Sequence, residues 1–493
     1  MSFLRRCFHA SWRLMQLRAN LFVPACAFLA SLLVYLLTLL KEPSWGDSAE
    51  LALQAFQLGV THPPGYPIHS LLGKIFSLPF TEPATGTGLM GALCTSLAVA
   101  LLAHLVYRWS QNALAALLAA GFFAFSPQIW EYAVATEIYN VNLAFFALSL
   151  WLTIESTRKS SLRWTAAAGA VFGLSLGTYL ANLLLIPAFW KALDVPRPRK
   201  PIPALLFTLL AGLLGGLVLS WNVLRAAVLP PLGTADMPTS LSGAWHYFSG
   251  AQYGTTMLMP LSFYLNRVVE HTAIFARNWA FIGLLFGAAG FWWIHRPGQE
   301  SQRFWLPLTL IFGIDMGYFT AYRAFDYHTM VAPAYFVFGI WAGCGAAALA
   351  RLPVRRLLRA AIYLLLAAAM LGSFVTQALP RWERSRTTPV IQSSLKTLKE
   401  APPNAVLAAD WSKFTVLLYL QKTRSLRPDL ILIERNSALR HYEWGEAITA
   451  DYLAQQAKAR PLLIDGWDPS LEGKFRPLQP LSGGWIQIEA LQP

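Results

Sequence analysis

Charge and cysteine are both scarce in this chain of 493 residues. Charged residues make up 13% of the sequence and hydrophobic residues 55%, more apolar surface than a soluble protein of this size needs. The four cysteines match no metal-binding spacing and none lies in the C-terminal region, so no disulfide framework is expected. The composition therefore predicts a protein that crosses the lipid bilayer many times.

The net charge of +14 comes from short basic segments between apolar runs, and no continuous basic face is visible. Nucleic-acid binding would call for such a face with interleaved aromatic residues, so no nucleic-acid partner is expected. Short segments rich in Lys and Arg lie on the cytoplasmic side of membrane proteins. The clusters that we expect there are Arg5, Arg6, Arg13 and Arg18; Arg158, Lys159 and Arg163; Lys191, Arg197, Arg199 and Lys200; and Arg351, Arg355, Arg356 and Arg359.

Apolar stretches predict a mainly α, polytopic membrane fold with about eleven transmembrane helices, of which the first is an uncleaved span. The stretches are 20–40, 88–109, 112–126, 137–155, 164–179, 180–192, 202–222, 270–294, 304–321, 329–350 and 357–379. The fifth and sixth form one run with basic residues at both ends, so we expect a turn on the outer side near residues 178–182. With a cytoplasmic N-terminus, the C-terminus is then extracytoplasmic.

The composition changes near residue 380, where mixed charges become dense. We therefore expect a membrane domain over residues 1–379 and a small soluble α/β domain over residues 380–493. Strands are predicted at 406–410, 430–435, 461–465 and 485–488, and helices at 411–421 and 445–459. No glycine-rich phosphate loop is present, so the domain is assigned to acceptor recognition or to a structural cap.

The first outer loop, residues 41–87, carries the most informative polar residues. Asp47 and Glu50 are three residues apart and share one face of a helix, and His62 precedes prolines that hold its backbone extended. A carboxylate at a membrane boundary can accept a proton from a hydroxyl or bind a divalent cation. The structural alternatives are acids that stabilise a helix N-terminus and a loop histidine satisfied by backbone groups.

Further candidates lie in the other outer loops, at 127–136, 223–269 and 322–328. Arg225 and Arg323 are basic residues on the side where few are expected, and a guanidinium fork matches phosphate oxygens. The alternative for Arg323 is an ion pair with Asp326. Glu137 opens the fourth span, where it either faces the cavity or caps the helix. The role of the intramembrane Asp315 is left open.

Several motifs are spread over most of the chain. They are Trp45-Gly46-Asp47-x-x-Glu50, Leu58-Gly59-Val60-x-His62-Pro63-Pro64-Gly65-Tyr66-Pro67, Thr136-Glu137-Ile138-Tyr139, Arg225-Ala226 with Pro230, Tyr322-Arg323-x-x-Asp326-Tyr327-His328 with Pro333, Asn404-Ala405-Val406-Leu407 and Arg427-Pro428-Asp429. Together they resemble the uncharacterised-domain membrane family that contains the transmembrane protein 260-type O-mannosyltransferases. The most specific of them is the His-Pro-Pro-Gly-Tyr-Pro run.

The resemblance implies a type C (GT-C-like) glycosyltransferase, which takes a sugar from a polyprenyl-phosphate donor and acts at the extracytoplasmic face. Mannose or another hexose would pass to an acceptor hydroxyl on a protein or a glycan. We expect the membrane to be a bacterial inner membrane, with the C-terminal domain periplasmic or extracellular. In this class an acid of the first outer loop is the catalytic base.

The family role of the first-loop acid corresponds here to Asp47. Its helpers are Glu50 and His62, and Arg323 and Arg225 would bind the donor phosphate. The predicted supporting residues are Glu137, Tyr66, Asp326 and His328. No certain cofactor is implied, and a divalent cation on Asp47 and Glu50 stays an open alternative.

The chain departs from the family pattern at Thr178 and Tyr179, where an Asn-His pair is expected, so no role is given to a histidine at that turn. Two rival functions are a glycolipid flippase or transporter and a non-catalytic envelope assembly protein. Transporters often show internal repeats and charges at the membrane midplane. Here no repeat is evident and the acids lie at one face, which favours the enzyme.

Overall fold

The computed structural model describes most of the chain, and most of the described elements are helices. The described residues are 2–44, 46–194, 201–229, 231, 238–250, 259–322, 324, 326–353, 356–386, 388–435, 450–467 and 471–491. The helices of the first half are α1 (Ser2–Leu37), α2 (Ser48–Gln57), α3 (Pro67–Ser77), α4 (Pro83–Ser110), α5 (Ala113–Ala124), α6 (Pro127–Val134), α7 (Ile138–Lys159), α8 (Leu162–Leu176), α9 (Ile186–Leu193) and α10 (Ile202–Ala226).

The helices of the second half connect the membrane part to a small sheet. They are α11 (Leu241–Ser249), α12 (Leu261–Asn278), α13 (Ile282–Ile294), α14 (Trp305–Ala321), α15 (Ala332–Leu349), α16 (Arg356–Arg384), α17 (Pro389–Glu400), α18 (Trp411–Arg424) and α19 (Ala450–Ala459). Short 3₁₀ helices lie at Leu180–Leu185, Glu300–Phe304, Tyr327–Thr329 and Ser482–Gly484.

Seven helices of the described part are long and apolar enough to cross a membrane, or up to nine segments if each of two bent pairs counts as one span. The bent pairs are α5 with α6, at 68°, and α12 with α13, at 95°. The other two predicted spans correspond to α8 and Leu180–Leu193, which are shorter than the roughly 20 residues of a full crossing. The prediction of a mainly helical, multi-pass membrane protein is confirmed.

The turn predicted near residues 178–182 coincides with a break between α8 and the following 3₁₀ helix. Tyr179 is extended there, with φ −160° and ψ 107°. The buried Asn182 side chain donates to the Asn142 Oδ1 atom at 2.7 Å and to the Ser175 carbonyl at 3.3 Å. Broken helices inside a membrane need such partners, because the freed backbone groups cannot bond to water.

Close packing and one buried acid fix α15 in the bundle. Gly290 of α13 and Gly345 of α15 face each other's backbone, and a Cβ atom on either would collide with a carbonyl oxygen of the other helix. Small residues of this kind let membrane helices approach closely. Asp315 of α14 accepts a hydrogen bond from the Ala334 N–H at 2.9 Å, so this acid satisfies a free donor at the start of α15.

The C-terminal region forms a five-stranded sheet of order β2-β1-β3-β5-β4. The strands are β1 (Val406–Ala409), β2 (Ile431–Glu434), β3 (Leu462–Ile464), β4 (Phe475–Pro480) and β5 (Ile486–Ala490). Strand β1 pairs in parallel with β2 and β3, whereas β5 is antiparallel to β3 and β4. The four predicted strands correspond to β1, β2, β3 and β5. The sequence missed β4 because Pro477 and Pro480 suit only an edge strand.

The sheet domain is docked onto the first outer loop. The predicted division at residue 380 falls inside α16, which continues to Arg384. Apolar residues of α2, among them Ala52 and Leu53, share one buried cluster with Phe414 and Leu417 of α18. The loop that holds the predicted acids is therefore packed beneath the sheet domain.

An ion-pair network fastens the same contact. The Arg424 Nη2 atom lies 2.7 Å from both the Glu42 Oε1 and the Glu82 Oε2 atoms, and the Tyr419 hydroxyl bonds to Glu82. These residues join α18 to both ends of the first outer loop. The docking thus combines apolar packing with charged contacts at its edge.

Candidate active site

The first-loop acids lie at the start of α2 and have different surroundings. Asp47 occupies the N-cap position but makes no side-chain capping bond; its Oδ1 atom accepts from the Trp411 indole N–H at 2.6 Å instead. Its side chain is 42% exposed, whereas that of Glu50, one turn further on, is fully buried. Asp47 is therefore the carboxylate that a substrate can reach.

His62 is held against Glu50 by two hydrogen bonds. Its Nδ1 atom lies 2.5 Å from the Glu50 Oε2 atom, and its backbone N–H donates to Oε1 at 2.6 Å. The other ring nitrogen, Nε2, faces the Asp47 Oδ2 atom at 3.8 Å and the Tyr66 hydroxyl at 3.4 Å. The imidazole therefore bridges the buried acid to the exposed one.

Hydrogen bonds at Thr61 anchor the proline-rich turn that follows His62. The Thr61 carbonyl accepts from the Tyr247 hydroxyl at 2.7 Å, and the Thr61 hydroxyl accepts from the Tyr66 N–H at 3.0 Å. Gly65 has φ +82°, and a Cβ atom there would strike Asn222 and Tyr247. A glycine is required at that position by both the backbone and the close approach, so the turn presents His62 in one orientation.

The charges of this cluster are coupled. Burial by itself lowers the pKa of His62, but the carboxylates of Glu50 and Asp47 outweigh burial and raise that pKa to about 9. Burial raises the pKa of Glu50 from its ordinary value, against the opposing effect of His62. The pair therefore keeps one proton at neutral pH, which we place on His62, and Asp47 faces an imidazolium.

Two further predicted acids belong to the same electrostatic cluster. Burial and then the charges of Asp47 and Asp326 raise the pKa of Glu137 to about 8. The pKa of Asp326 is also raised by burial and by Asp47. Glu137 stands at the N-cap of α7 without a side-chain capping bond, so its carboxyl group does not serve as the cap of that helix.

Buried tyrosine rings pack close to these acids. The ring of Tyr66 meets that of His62 edge-on, with centroids 5.4 Å apart. Tyr139 lies between Tyr132, at 5.0 Å, and Tyr179, at 5.8 Å. Such rings supply flat apolar faces with a polar edge.

Of the two predicted phosphate ligands, the structure describes Arg225. Arg323 lies outside the described residues, as do Trp45 and Pro230 of the family motifs. Arg225 donates from Nε to the Leu58 carbonyl at 2.7 Å and from Nη2 to the Gln57 carbonyl at 3.0 Å. Arg225 thus holds the end of α2, and its Nη1 atom makes no hydrogen bond within the described part of the chain.

The segment with His328 is fixed mainly through its backbone. The His328 carbonyl accepts from the Gln128 side chain at 2.5 Å, and the next carbonyl, of Thr329, accepts from the Tyr132 hydroxyl. Burial lowers the pKa of His328. The segment that carries Asp326 is therefore fastened to α6, next to the acid cluster.

Two residues of this region were missed by the sequence analysis. Trp411 reaches Asp47 from 364 positions away, and its only sequence signal is a large aromatic residue directly after a strand. Arg267 of α12 donates to the Ala324 carbonyl at 3.1 Å, and its guanidinium lies 3.9 Å from the centroid of the Tyr327 ring. No local pattern marks Arg267, because its partners belong to a distant loop.

Asp47, Glu50 and His62 also form the one group of three metal-ligating side chains that the described residues bring together, with one ligand atom from each within 4.8 Å of the others. The set of two carboxylates and an imidazole suits a divalent cation. In the arrangement present, however, His62 and Glu50 bind each other directly, and a cation there would have to displace the shared proton. The same three side chains can therefore form the ion pair seen here or, after loss of that proton, hold a divalent cation.

Comparison with solved structures defines the class of fold. The structures of ArnT from Cupriavidus metallidurans, one bound to undecaprenyl phosphate and one in the apo state, each match with a TM-score of 0.60. The match covers 94% of this chain and 97% of ArnT at 12% sequence identity. At this identity the likeness shows the fold alone, and it confirms the predicted GT-C-like membrane fold.

Comparison with curated sequences confirms the resemblance inferred from the motifs. Residues 47–199 match the family model of the protein O-mannosyl-transferase TMEM260 N-terminal domain. The mouse (Mus musculus) protein O-mannosyl-transferase TMEM260 is 30% identical over 258 residues, which are 50% of this chain and 36% of the mouse protein. The Dictyostelium discoideum relative of the same description is 32% identical over 254 residues, 47% of this chain and 31% of that protein. The chain thus aligns with only about a third of each of these relatives.

Proposed function

We propose that the chain is an integral-membrane glycosyltransferase that moves mannose or another hexose from a polyprenyl-phosphate donor to an acceptor hydroxyl at the extracytoplasmic face. The observation that carries this proposal is the half-exposed carboxylate of Asp47, held between Trp411 and His62 at the junction of the membrane helices and the sheet domain. The O-mannosyl-transferase relatives support the reaction and the sugar. A bacterial inner membrane stays our prediction for the location.

The undecaprenyl phosphate in the ArnT structure supports a polyprenyl-phosphate donor. Such a donor stays in the bilayer, so its phosphate needs cationic groups at the membrane boundary. Arg323 and Arg225 remain the proposed ligands, and the Arg225 Nη1 atom, which makes no hydrogen bond to a described residue, fits this role. Arg267 is tied to the carbonyl of Ala324, the residue that follows Arg323. These guanidinium groups would balance the acids around His62.

In the proposed reaction Asp47 acts as the general base. The acceptor oxygen attacks the anomeric carbon of the sugar while its proton passes to the Asp47 carboxylate. The bond from that carbon to the phosphate oxygen breaks, and polyprenyl phosphate leaves with the electron pair. Because the leaving group is a phosphate already, the arginines only need to stabilise its charge.

The remaining groups of the cluster have supporting roles in this scheme. The His62 and Glu50 pair places the imidazole Nε2 atom 3.8 Å from the Asp47 Oδ2 atom and so helps to hold that carboxylate in place for the proton transfer. Burial and the neighbouring acids raise the pKa of Glu137, which suits its carboxyl group to a hydrogen bond with the sugar, and the rings of Tyr66, Tyr139 and Tyr179 offer apolar faces to it. The acceptor would be a protein hydroxyl or a glycan.

Replacement of Asp47 by asparagine tests the proposal. The carbonyl oxygen of the introduced side chain can still accept from Trp411, whereas its amide cannot take the acceptor proton. We expect the rate of mannose transfer from a mannosyl polyprenyl phosphate to fall by about 100- to 10,000-fold. Purified protein in nanodiscs, a pool of Ser/Thr peptides and a radiolabelled donor would measure the labelled product and the released lipid phosphate together.

Asp194→Asn is the matched control. Asp194 is half-exposed beside Lys191, after the end of α9, and α9 contacts the last turns of α7, away from Glu137. We expect this variant to transfer mannose at the wild-type rate. Wild-type transfer by Asp47→Asn, or movement of the intact lipid-linked sugar across the membrane without release of the lipid phosphate, would contradict the proposal.

A further inference from the structure

One side chain of the sheet domain, that of Trp411, contacts the proposed catalytic base, Asp47. The Trp411 indole N–H donates to the Asp47 Oδ1 atom at 2.6 Å. The same ring meets the His62 ring edge-on, with centroids 6.0 Å apart. A single residue of the C-terminal domain therefore contacts both the exposed acid and the imidazole that faces it.

The position of Trp411 follows from the local fold of the domain. β1 ends at Ala409, and Asp410 then caps α18 by accepting from the Lys413 N–H at 3.0 Å. Trp411 is thus the first residue of α18, at the carboxyl end of a parallel strand that lies between β2 and β3. Open parallel sheets present functional groups at this edge, and here the edge faces the membrane site.

Hydrogen bonds on both sides of Trp411 support its contact with Asp47. The Asp410 N–H donates to the Asp465 Oδ2 atom at 2.8 Å, which ties the start of α18 to the end of β3. The Thr415 hydroxyl reaches the Gly46 carbonyl at 3.5 Å, next to Asp47. The indole and the carboxylate are therefore fixed with respect to each other by the packing of α18 on α2.

We propose that Trp411 is a positioning residue for the glycosyl transfer and that the docked sheet domain completes the active site. This inference rests on the proposed function. The indole N–H occupies the Asp47 Oδ1 atom and fixes the rotation of the carboxylate, so that Oδ2 is the oxygen that accepts the acceptor proton. A carboxylate held at one oxygen loses less freedom on reaching the transition state than one that rotates.

The variant Trp411→Phe tests this role, because it keeps an aromatic ring and removes the N–H donor. We expect kcat for mannose transfer to fall by about 10- to 100-fold, the effect of losing a hydrogen bond to a charged group. The donor KM should stay within about twofold, since Trp411 acts on the base and not on the lipid phosphate. Trp411→His keeps a ring N–H and should recover part of the lost kcat.

Trp485→Phe is the matched control. Trp485 is a buried tryptophan of the same domain, in the apolar cluster that contains the docking face of α18. Replacing it loosens the packing of the domain without removing a contact to Asp47. We therefore expect kcat and the donor KM to stay unchanged. Thermal unfolding of all three variants in the same detergent measures their folding separately.

The combined results distinguish failure of this inference from failure of the proposed function. Wild-type kcat in Trp411→Phe, or an equal loss in Trp485→Phe, would overturn the positioning role. If Asp47→Asn abolishes transfer while Trp411→Phe does not affect it, the proposed function survives and this inference fails. If Asp47→Asn transfers normally, the proposed function itself fails. In the Asp47→Asn background, Trp411→Phe should cause no further loss.

Discussion

Asp47 and Glu50 lie one helical turn apart, yet the fold gives them opposite surroundings. Asp47 is open to solvent on one side, while Glu50 is buried and bonded twice to His62. A buried carboxylate without a partner would be costly, and the imidazolium of His62 offsets part of that cost. The residue that touches the substrate in our proposal is thus distinct from the residue that fixes the charge beside it.

The His62 ion pair predicts a definite dependence of stability on pH. The pKa of His62 is raised from 6.5 to about 9 in the folded protein. Its stabilisation is therefore fully present below pH 6.5 and is lost as the pH rises through 9. A shift of this size corresponds to about 3 kcal/mol.

Comparison of wild type with His62→Gln at several pH values checks this expectation. The melting temperature of the wild type should exceed that of His62→Gln clearly at pH 6 and much less at pH 10. Thermal unfolding in one detergent, with only the buffer changed, gives both values. A difference that is the same at pH 6 and pH 10 would mean that His62 is not protonated in the folded state.

The helix α2 carries the site, and its two ends are held by different parts of the chain. The sheet domain contacts the start of the helix through Trp411, whereas Arg225, at the end of α10, binds the carbonyls of Gln57 and Leu58 at the other end. A cation at a helix C-terminus also interacts favourably with the helix dipole. The orientation of Glu50 thus depends on two elements far apart in sequence.

Arg225→Gln should lower the stability of the protein by about 1 to 3 kcal/mol, because two carbonyls lose a charged donor. It should also raise the donor KM, because the variant lacks the Nη1 atom that binds the lipid phosphate in our proposal. Chemical denaturation measures the first effect and initial rates the second. Arg277→Gln, an exposed arginine in the last turn of α12, is the control; an equal loss of stability in both variants would exclude the anchoring role.

Local patterns predicted the elements, and long-range contacts decided the parts that the sequence missed. The apolar runs mark the seven long membrane helices of the described residues, and the short spacing from Asp47 to His62 lets the first loop form its cluster from nearby residues. The contact of Trp411 with Asp47 spans most of the chain, so no local pattern contains it. β4 carries two prolines, which are signals of a loop in sequence but are allowed at a sheet edge.

On the scale of the whole molecule, the acid cluster and the main basic network lie at opposite ends of the same helices. α7 begins next to Glu137 and ends with Arg158 and Lys159, which pair with Glu155 at 2.5 and 3.2 Å. Arg108, in the last turn of α4, also pairs with Glu155. At 1.5 Å per residue, the 28 residues of α4 span about 42 Å, more than the hydrocarbon core of a bilayer.

This separation is compatible with the predicted cytoplasmic basic end and extracytoplasmic site, which the positive-inside rule favours. The sheet domain packs at the acidic end, since Arg424 bonds to Glu82, directly before α4. The donor would enter from the bilayer beside the arginines, and the acceptor would enter from water beneath the sheet domain. Both substrates would then meet at Asp47.

The most direct test of this account is mannose transfer in sealed membrane vesicles of known orientation, with a labelled mannosyl polyprenyl phosphate in the lipid and a membrane-impermeant peptide acceptor added outside. We expect labelled peptide in right-side-out vesicles that contain the wild-type protein, and none in inverted vesicles or with Asp47→Asn. Labelling of the peptide in inverted vesicles, or at the wild-type rate by Asp47→Asn, would contradict the account.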